Sequence, residues 1–229
     1  MNVFALDSLD LAALLCSRVC HDVISPVGAI VNGLEVLEED KDEGMREFAM
    51  DLIRKSAKSA SARLQFCRLA FGAAGSVGAT IDTGDAEKVA RGLIADERTV
   101  LNWDAPRVFM PKNKVKLALN LCLIGSGCIP RGGVMNVVIS GEGDNVHISV
   151  AVKGPNLKLA SHVVDLLEGR SESGTVEAHG IQPYFTGLVA RSCDMAVEVT
   201  AGADEVVLRT APAAKPEVAA DPAAQKAAE

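Results

Sequence analysis

No Cys-x-x-Cys pair occurs anywhere in the chain, although its 229 residues include six cysteines: Cys16, Cys20, Cys67, Cys122, Cys128 and Cys193. Metal sites and disulfide frameworks leave regular cysteine or histidine spacings, and these six show none. Free cysteine behaves as a small buried hydrophobe, so the expectation is no disulfide and no metal site. Positive charge is also short: 23 Lys and Arg stand against 30 Asp and Glu, a net charge of −7. That balance argues against general nucleic-acid or anionic-membrane binding, both of which need a basic surface. No uninterrupted apolar run approaches the roughly 18–20 residues of a membrane span, and the opening residues, broken by Asp7, do not read as a signal peptide. These absences predict a cytoplasmic chain that binds neither nucleic acid nor membrane. Trp103 and Tyr184, the single Trp and single Tyr, read as packing residues rather than a ligand platform.

What is present is enough for a core, with 48% hydrophobic and 23% charged residues. Glycines at 72, 75 and 78 end a long helical stretch. The last nineteen residues hold nine alanines and three prolines (Pro212, Pro216, Pro222), a composition that buries almost nothing. The expected organisation is a helical hairpin over 1–72, a linker over 73–83, a mixed domain over 84–210 and a disordered tail over 211–229. Within the hairpin, Asp7 or Ser8 caps a helix over 9–39, a turn spans 40–44, and a return helix covers 45–71 before Gly72. Two helices cannot hide each other's wide apolar faces, so such a hairpin is expected to complete a four-helix bundle by dimerising. In the second part, helical patterns at 85–97, 112–124, 161–167 and 182–193 accompany strand patterns at 99–103, 134–140, 146–152, 195–200 and 204–209. The expected fold class is α+β, a helical hairpin followed by an α/β sandwich.

Rotating each residue of the first helix by about 100° around its axis separates two faces. Cys16, Val19, Val23, Val27, Ile30, Leu34 and Leu37 fall opposite His21. Ser17, Arg18, Ser25, Gly28 and Asn32 fall beside it, with Leu14 the one large apolar exception. His21 is thus the centre of a polar stripe rather than a core residue. Asp22 follows it directly, and Pro26 stands five residues on. Proline inside a helix costs about 3 kcal/mol, so its place beside an exposed imidazole points to function. The remaining histidines carry less: His147 faces outward from a strand, His162 opens a short helix, and His179 sits in a loop, none with a ligand-spaced partner.

The stretch His21-Asp22-x-x-Ser25-Pro26-x-x-Ala29-Ile30, with Leu15-Cys16-Ser17-Arg18-Val19-Cys20 before it, resembles the phosphoacceptor box of two-component histidine kinases. More closely it is similar to the histidine phosphotransferases of alphaproteobacteria. The resemblance implies a homodimer with a four-helix bundle, and a C-terminal domain shaped like a kinase ATPase domain of Bergerat type that has lost ATP binding. It implies that His21 accepts a phosphoryl group from the receiver of a hybrid kinase of CckA type and passes it to response regulators of CtrA and CpdR type, in cell-cycle control. No cofactor is implied for this chain, because the receiver supplies Mg²⁺. Asp22 would orient the imidazole, and Leu14, Ser17, Arg18, Ser25, Ala29 and Asn32 would form the receiver-docking surface.

The residues expected for ATP are missing from the second part. A kinase-like helix would carry asparagines four apart; here Lys116 and Asn120 are followed by Ile124, which has no ligand oxygen. In place of an Asp-x-Gly-x-Gly box stands Lys153-Gly154-Pro155-Asn156-Leu157, and Gly169, Gly174 and Gly180 are too scattered for a phosphate loop. Arg54, Lys55, Lys58, Arg63 and Arg68 on the second helix form a solvated basic face that could also steer an acidic receiver. Two alternatives stay open on the residues alone: an ATP-dependent kinase fragment and a non-enzymatic dimeric adaptor.

Overall fold

In the computed structural model, which describes residues 2–39, 41–72, 78–171, 174–177 and 180–213, a two-residue strand, β1 (Asn2–Val3), precedes the first long helix, α1 (Ser8–Glu39). Asp7 caps that helix. Its carboxylate accepts from the Leu9 N–H at 2.8 Å, which satisfies a donor that the first helical turn leaves unpaired. Helix α2 (Glu43–Ala70) is capped in the same way, Asp42 accepting from the Met45 N–H at 2.9 Å. The return helix therefore starts two residues before the expected 45. The two helices lie side by side, and Gly33, buried in α1, sets their closest approach: a β-carbon there would stand 2.7 Å from Ile53 Cγ1 and 3.2 Å from the Ala49 carbonyl oxygen.

Beyond α2 the chain continues through β2 (Thr80–Asp82), α3 (Thr83–Ile94), β3 (Thr99–Asp104), β4 (Phe109–Pro111), α4 (Lys112–Cys128), β5 (Gly133–Ser140), β6 (His147–Lys153), α5 (His162–Leu167), β7 (Arg170–Ser171), α6 (Ile181–Arg191), β8 (Met195–Ala201) and β9 (Val206–Pro212). The main sheet has five strands in the order β3-β5-β6-β9-β8. Only β3 and β5 pair in parallel; every other neighbour is antiparallel. Met135, Val137, Ile139, Ile148, Val150, Val152 and Leu208 turn inward onto α4, while Val100, Val134 and Val138 on the other face are exposed. Helix α4 is apolar almost all round because it is covered almost all round: Leu117, Leu119, Leu121 and Cys122 are fully buried. The result is an α+β molecule with a helical hairpin and a two-layer α/β sandwich.

The hairpin joins the sandwich at its base. Phe66 and Ala70, at the end of α2, enter the main core. On the other side, Phe4, Leu6, Leu11, Leu14 and Leu15 pack against a second cluster of Leu166, Val176, Ile181 and Tyr184. The Leu6 N–H donates to the Tyr184 hydroxyl at 3.0 Å, the Phe4 and Tyr184 rings stack at 5.1 Å, and β1 pairs with β7. The start of the chain is thus strapped across the sandwich.

Several expectations change. Within the expected linker, Thr80–Asp82 forms a strand against β4 and α3 begins at Thr83, whose buried hydroxyl donates to the Pro106 carbonyl at 2.7 Å. Residues 73–77 of that linker lie outside the described residues. Of the expected tail, Ala211 and Pro212 belong to β9. Pairing of β9 with β6 ends at Arg209, so Pro212 meets only Met195 of β8 and needs no second ladder partner; residues 214–229 lie outside the described residues, as does His179. All six cysteines are free, but Cys16 and Cys20 are exposed rather than buried, because they stand on the side of α1 that α2 does not cover. Finally, α1 is long and apolar enough, by length and composition, to cross a membrane. The expectation of no membrane rested on consecutive apolar residues, and the many Leu, Ile and Val residues of this helix raise its average while polar residues interrupt any such run.

Gly187 in α6 crosses the end of α5 so closely that a β-carbon would collide with the Leu167 carbonyl oxygen. Gly187→Ala should therefore cost about 1–3 kcal/mol of stability through overpacking. Gly28→Ala, where a β-carbon meets nothing within 4 Å, should be neutral or stabilise by up to about 1 kcal/mol. Denaturant midpoints of the two variants check both.

Candidate functional site

Helix α1 has three faces rather than two. Toward α2 and the sandwich it turns Leu15, Val19, Pro26, Ile30, Gly33 and Leu37, all at least half-buried. A quarter-turn to a third of a turn away on the other side runs Cys20, Ile24, Val27, Val31 and Leu34, spaced four, three, four and three apart and all exposed. Between them lies the polar stripe with Ser17, His21, Ser25 and Asn32, also exposed. The His21 side chain is 85% exposed, and none of the described residues covers it.

Among the described residues, the imidazole has an ion-pair contact with Asp22. Asp22 Oδ1 lies 3.6 Å from Nδ1 of His21, longer than a hydrogen bond. The other carboxylate oxygen, Oδ2, accepts from Arg18 Nε at 3.0 Å, one helical turn back. Asp22 thus faces the δ side of the ring. Pro26 lies four residues beyond Asp22 and has no N–H to give to the Asp22 carbonyl, yet α1 continues through it. Arg18 and Asp22 are largely withdrawn from solvent, with side chains 27% and 20% exposed. Together with Arg63 they line a cleft of about 260 Å³ between hairpin and sandwich, whose apolar wall includes Phe66, Leu93, Ile94 and Leu123.

The expected docking residues are therefore not one surface. Ser17, Ser25 and Asn32 flank His21 in the open, and Ala29 is half-buried. Leu14 packs against the Tyr184 cluster, because the first turns of α1 rest on α6. Arg18 is engaged with Asp22. Sequence periodicity missed the apolar face running from Cys20 to Leu34 as a face in its own right, and it missed the cleft. The i, i+4 spacing of Arg18 and Asp22 was the available signal for their pairing. On α2, Arg54, Lys55, Lys58 and Arg68 are exposed while Arg63 is half-buried.

The buried thiols are poor nucleophiles. Burial pushes the Cys67 thiol, in the cleft beside Asp22, up to about 11, and the Cys122 and Cys128 thiols up to about 12 and about 11. At neutral pH all three stay protonated. In the sandwich, the positions compared above with a nucleotide site are committed to packing. The Asn120 amide, fully buried, donates to the Ala70 carbonyl at 3.0 Å and the Lys116 carbonyl at 2.8 Å, and its oxygen accepts from Gln182 Nε2 at 2.6 Å. Ile124 lies in the core. Gly154 is required because its Cα packs against the backbone of Gly132 and Gly133.

The chain resembles known proteins over most of its length. A family model described as the histidine phosphotransferase C-terminal domain matches residues 83–205. Over 202 residues the chain is 50% identical to the protein phosphotransferase ChpT of Brucella abortus (strain 2308), covering 88% of this chain and 95% of that one. A solved structure of a bacterial phosphotransferase is 46% identical and superposes with a TM-score of 0.84, covering 92% of this chain and 100% of that one. A histidine kinase domain from the Erythrobacter litoralis EL346 blue-light activated histidine kinase, 12% identical, gives a TM-score of 0.45 over 80% of this chain and 94% of that one.

Calorimetric titration with Mg-ATP should give no saturable heat at millimolar nucleotide. Asn120→Ala should show its effect in stability instead, a loss of about 2–4 kcal/mol in denaturant unfolding, since it leaves the buried Ala70 carbonyl and Gln182 amide without their partner.

Proposed function

Because this chain belongs to the histidine phosphotransferase family and is a phosphotransferase, we propose that it relays a phosphoryl group between receiver-domain aspartates through His21. The observation that carries this reading is the exposure of the His21 imidazole on a polar stripe, with a carboxylate on its δ side only. Nε2 is left facing outward. Its lone pair attacks the phosphorus of an aspartyl phosphate, the P–O bond to the aspartate breaks, and the carboxylate stays with the donor receiver. The ring proton sits on Nδ1, where Asp22 faces the positive charge that builds on the ring. The second transfer reverses these steps onto another receiver's aspartate. In its neutral form an imidazole carries a free lone pair and is a competent nucleophile. The rest of the work is in-line positioning and charge neutralisation. Mg²⁺ comes with the receiver's acidic cluster, and this chain supplies no cofactor.

The faces of α1 support the reading of its partners, whose types are those that the family resemblance implies. Ser17, Ser25 and Asn32 offer short polar side chains around His21, which leaves room for a receiver's active-site loops, and the exposed cations of α2 steer an acidic partner. A hybrid kinase receiver of CckA type is the donor, and response regulators of CtrA and CpdR type are the acceptors, in cell-cycle control in the cytoplasm. The face from Cys20 to Leu34 takes a second copy of this chain. Its alternating spacing of three and four is that of a helix-bundle seam, and two hairpins then make four helices. This pairing hides the apolar surface that gives α1 its membrane-like average.

Wild-type chain mixed with a labelled phospho-receiver should gain acid-labile, base-stable label within minutes, and none from labelled ATP alone. His21→Ala should keep its fold and lose all label. Label uptake by His21→Ala at the wild-type rate would place the phosphoacceptor elsewhere, and a wild-type chain that takes no label would replace this reading with the adaptor one.

Light scattering at micromolar concentration should report about twice the 23.9 kDa chain mass. Val27→Asp or Val31→Asp should halve it, because each carboxylate is tolerated on the exposed helix of one chain but costs several kcal/mol when buried unpaired against a second.

A further inference from the structure

Asp22 lies between an arginine and the imidazole, and it is bonded to the arginine. Its Oδ2 is tied to Arg18 Nε at 3.0 Å, while Oδ1 stays 3.6 Å from Nδ1 of His21. The pairing is largely withdrawn from solvent and borders the cleft between hairpin and sandwich. An arginine serving a visiting receiver would be expected on the open stripe with Ser17 and Ser25. Arg18 is instead half-buried one turn before the histidine, on the side of α1 that faces the cleft.

We propose that Arg18 is a positioning residue for phosphoryl transfer, acting through Asp22 on His21. This rests on His21 being the phosphoacceptor. The carboxylate serves the ring best at a distance. Near enough to Nδ1, it favours the tautomer with the proton on the δ side and leaves the Nε2 lone pair free. Left without a cation of its own, it would close on Nδ1 and favour the imidazolium, which has no lone pair to attack with. Arg18 neutralises Asp22 and holds one of its oxygens, which leaves the other to orient the ring from 3.6 Å. The other groups around the pair are few among the described residues. From α2, Arg63 and the protonated Cys67 thiol line the same cleft, and the Arg63 Nε is directed at Ser59 Oγ, 3.5 Å away. From α3 and α4 come only uncharged residues, Leu93, Ile94, Leu123, Ser126 and Gly127.

The test uses the full chain and two readouts. The first is the titration of the His21 ring by NMR, its signal assigned by its loss in His21→Ala. The second is the pH profile of phosphate uptake from phosphoramidate, a small donor that needs no docking surface. In that reaction Nε2 attacks phosphorus, the P–N bond breaks and ammonia leaves. Arg18→Gln should move the ring's titration midpoint and the acid limb of the uptake profile upward together by about half a pH unit, about a threefold slower uptake on the acid limb. Arg18→Lys, which restores the cation, should return both to wild type. Arg18→Gln combined with Asp22→Asn should abolish the upward shift, because the released carboxylate is gone. A role in receiver docking alone predicts unchanged titration and phosphoramidate uptake, with slower transfer from a phospho-receiver only, and would overturn the proposal. A merely structural role predicts lower uptake at every pH with no movement of the limb, and would overturn it equally. If wild-type His21 takes label from neither donor, the phosphotransfer reading fails, while an unmoved midpoint in Arg18→Gln sinks the positioning role by itself.

Discussion

The buried amide of Asn120 holds the molecule's two parts in register. Its hydrogens bond the last carbonyl of α2, at Ala70, and the Lys116 carbonyl within α4, while its oxygen accepts from Gln182 of α6. An amide in the interior is costly unless its hydrogen bonds are made, so only one seating of the hairpin on the sandwich satisfies all three partners. That seating decides what surrounds the histidine. It brings Leu93, Ile94 and Leu123 up to Arg18 and Asp22 and closes the cleft on one side of α1, leaving the stripe of His21 open on the next. Asn120 thus locks the hairpin onto the sandwich through the Ala70 carbonyl.

Helix α1 meets a related constraint, since one cylinder serves three neighbours. Small residues make this possible. Gly33 lets α2 come close, and Ser17, Ser25 and Gly28 keep the approach to the imidazole clear. The apolar seam from Cys20 to Leu34 and the face toward α2 together make most of the circumference hydrophobic, so the helix reads as membrane-like by average although Arg18, His21 and Asp22 sit at its middle.

The parts of this arrangement that were legible in the sequence are those set by local periodicity. The position of His21 opposite the apolar residues follows from the helical repeat, and so do the long helices and the strands flanking the Gly141–Gly143 turn. Short pairings such as β2 with β4 leave too few residues for a pattern, which is why a strand at Thr80–Asp82 passed for linker. Long-range choices were not legible either. Leu14 shares its angular sector with His21, and only the path of the chain's first residues across α6 explains why it is covered. Periodicity likewise cannot distinguish the face of α1 that meets α2 from the face left bare, so Cys16 and Cys20 passed for buried residues. Arg18 was visible as a charge beside the histidine, but its engagement with Asp22 depends on the rotamers of both.

The strap at the start of the chain bears on stiffness. The lower end of α1 is held by the stack of Phe4 on Tyr184 and the bond from Leu6, and the end of α2 is held by Phe66, Ala70 and Asn120. With both feet clamped, the hairpin behaves as a cantilever loaded at its tip. Its bending is smallest near the clamp, where His21 lies, and largest at the Glu39 end, eighteen residues or about 27 Å further along the helix. In the proposed pairing a second hairpin braces this span further along, so the reacting nitrogen keeps its bearing on the sheet domain.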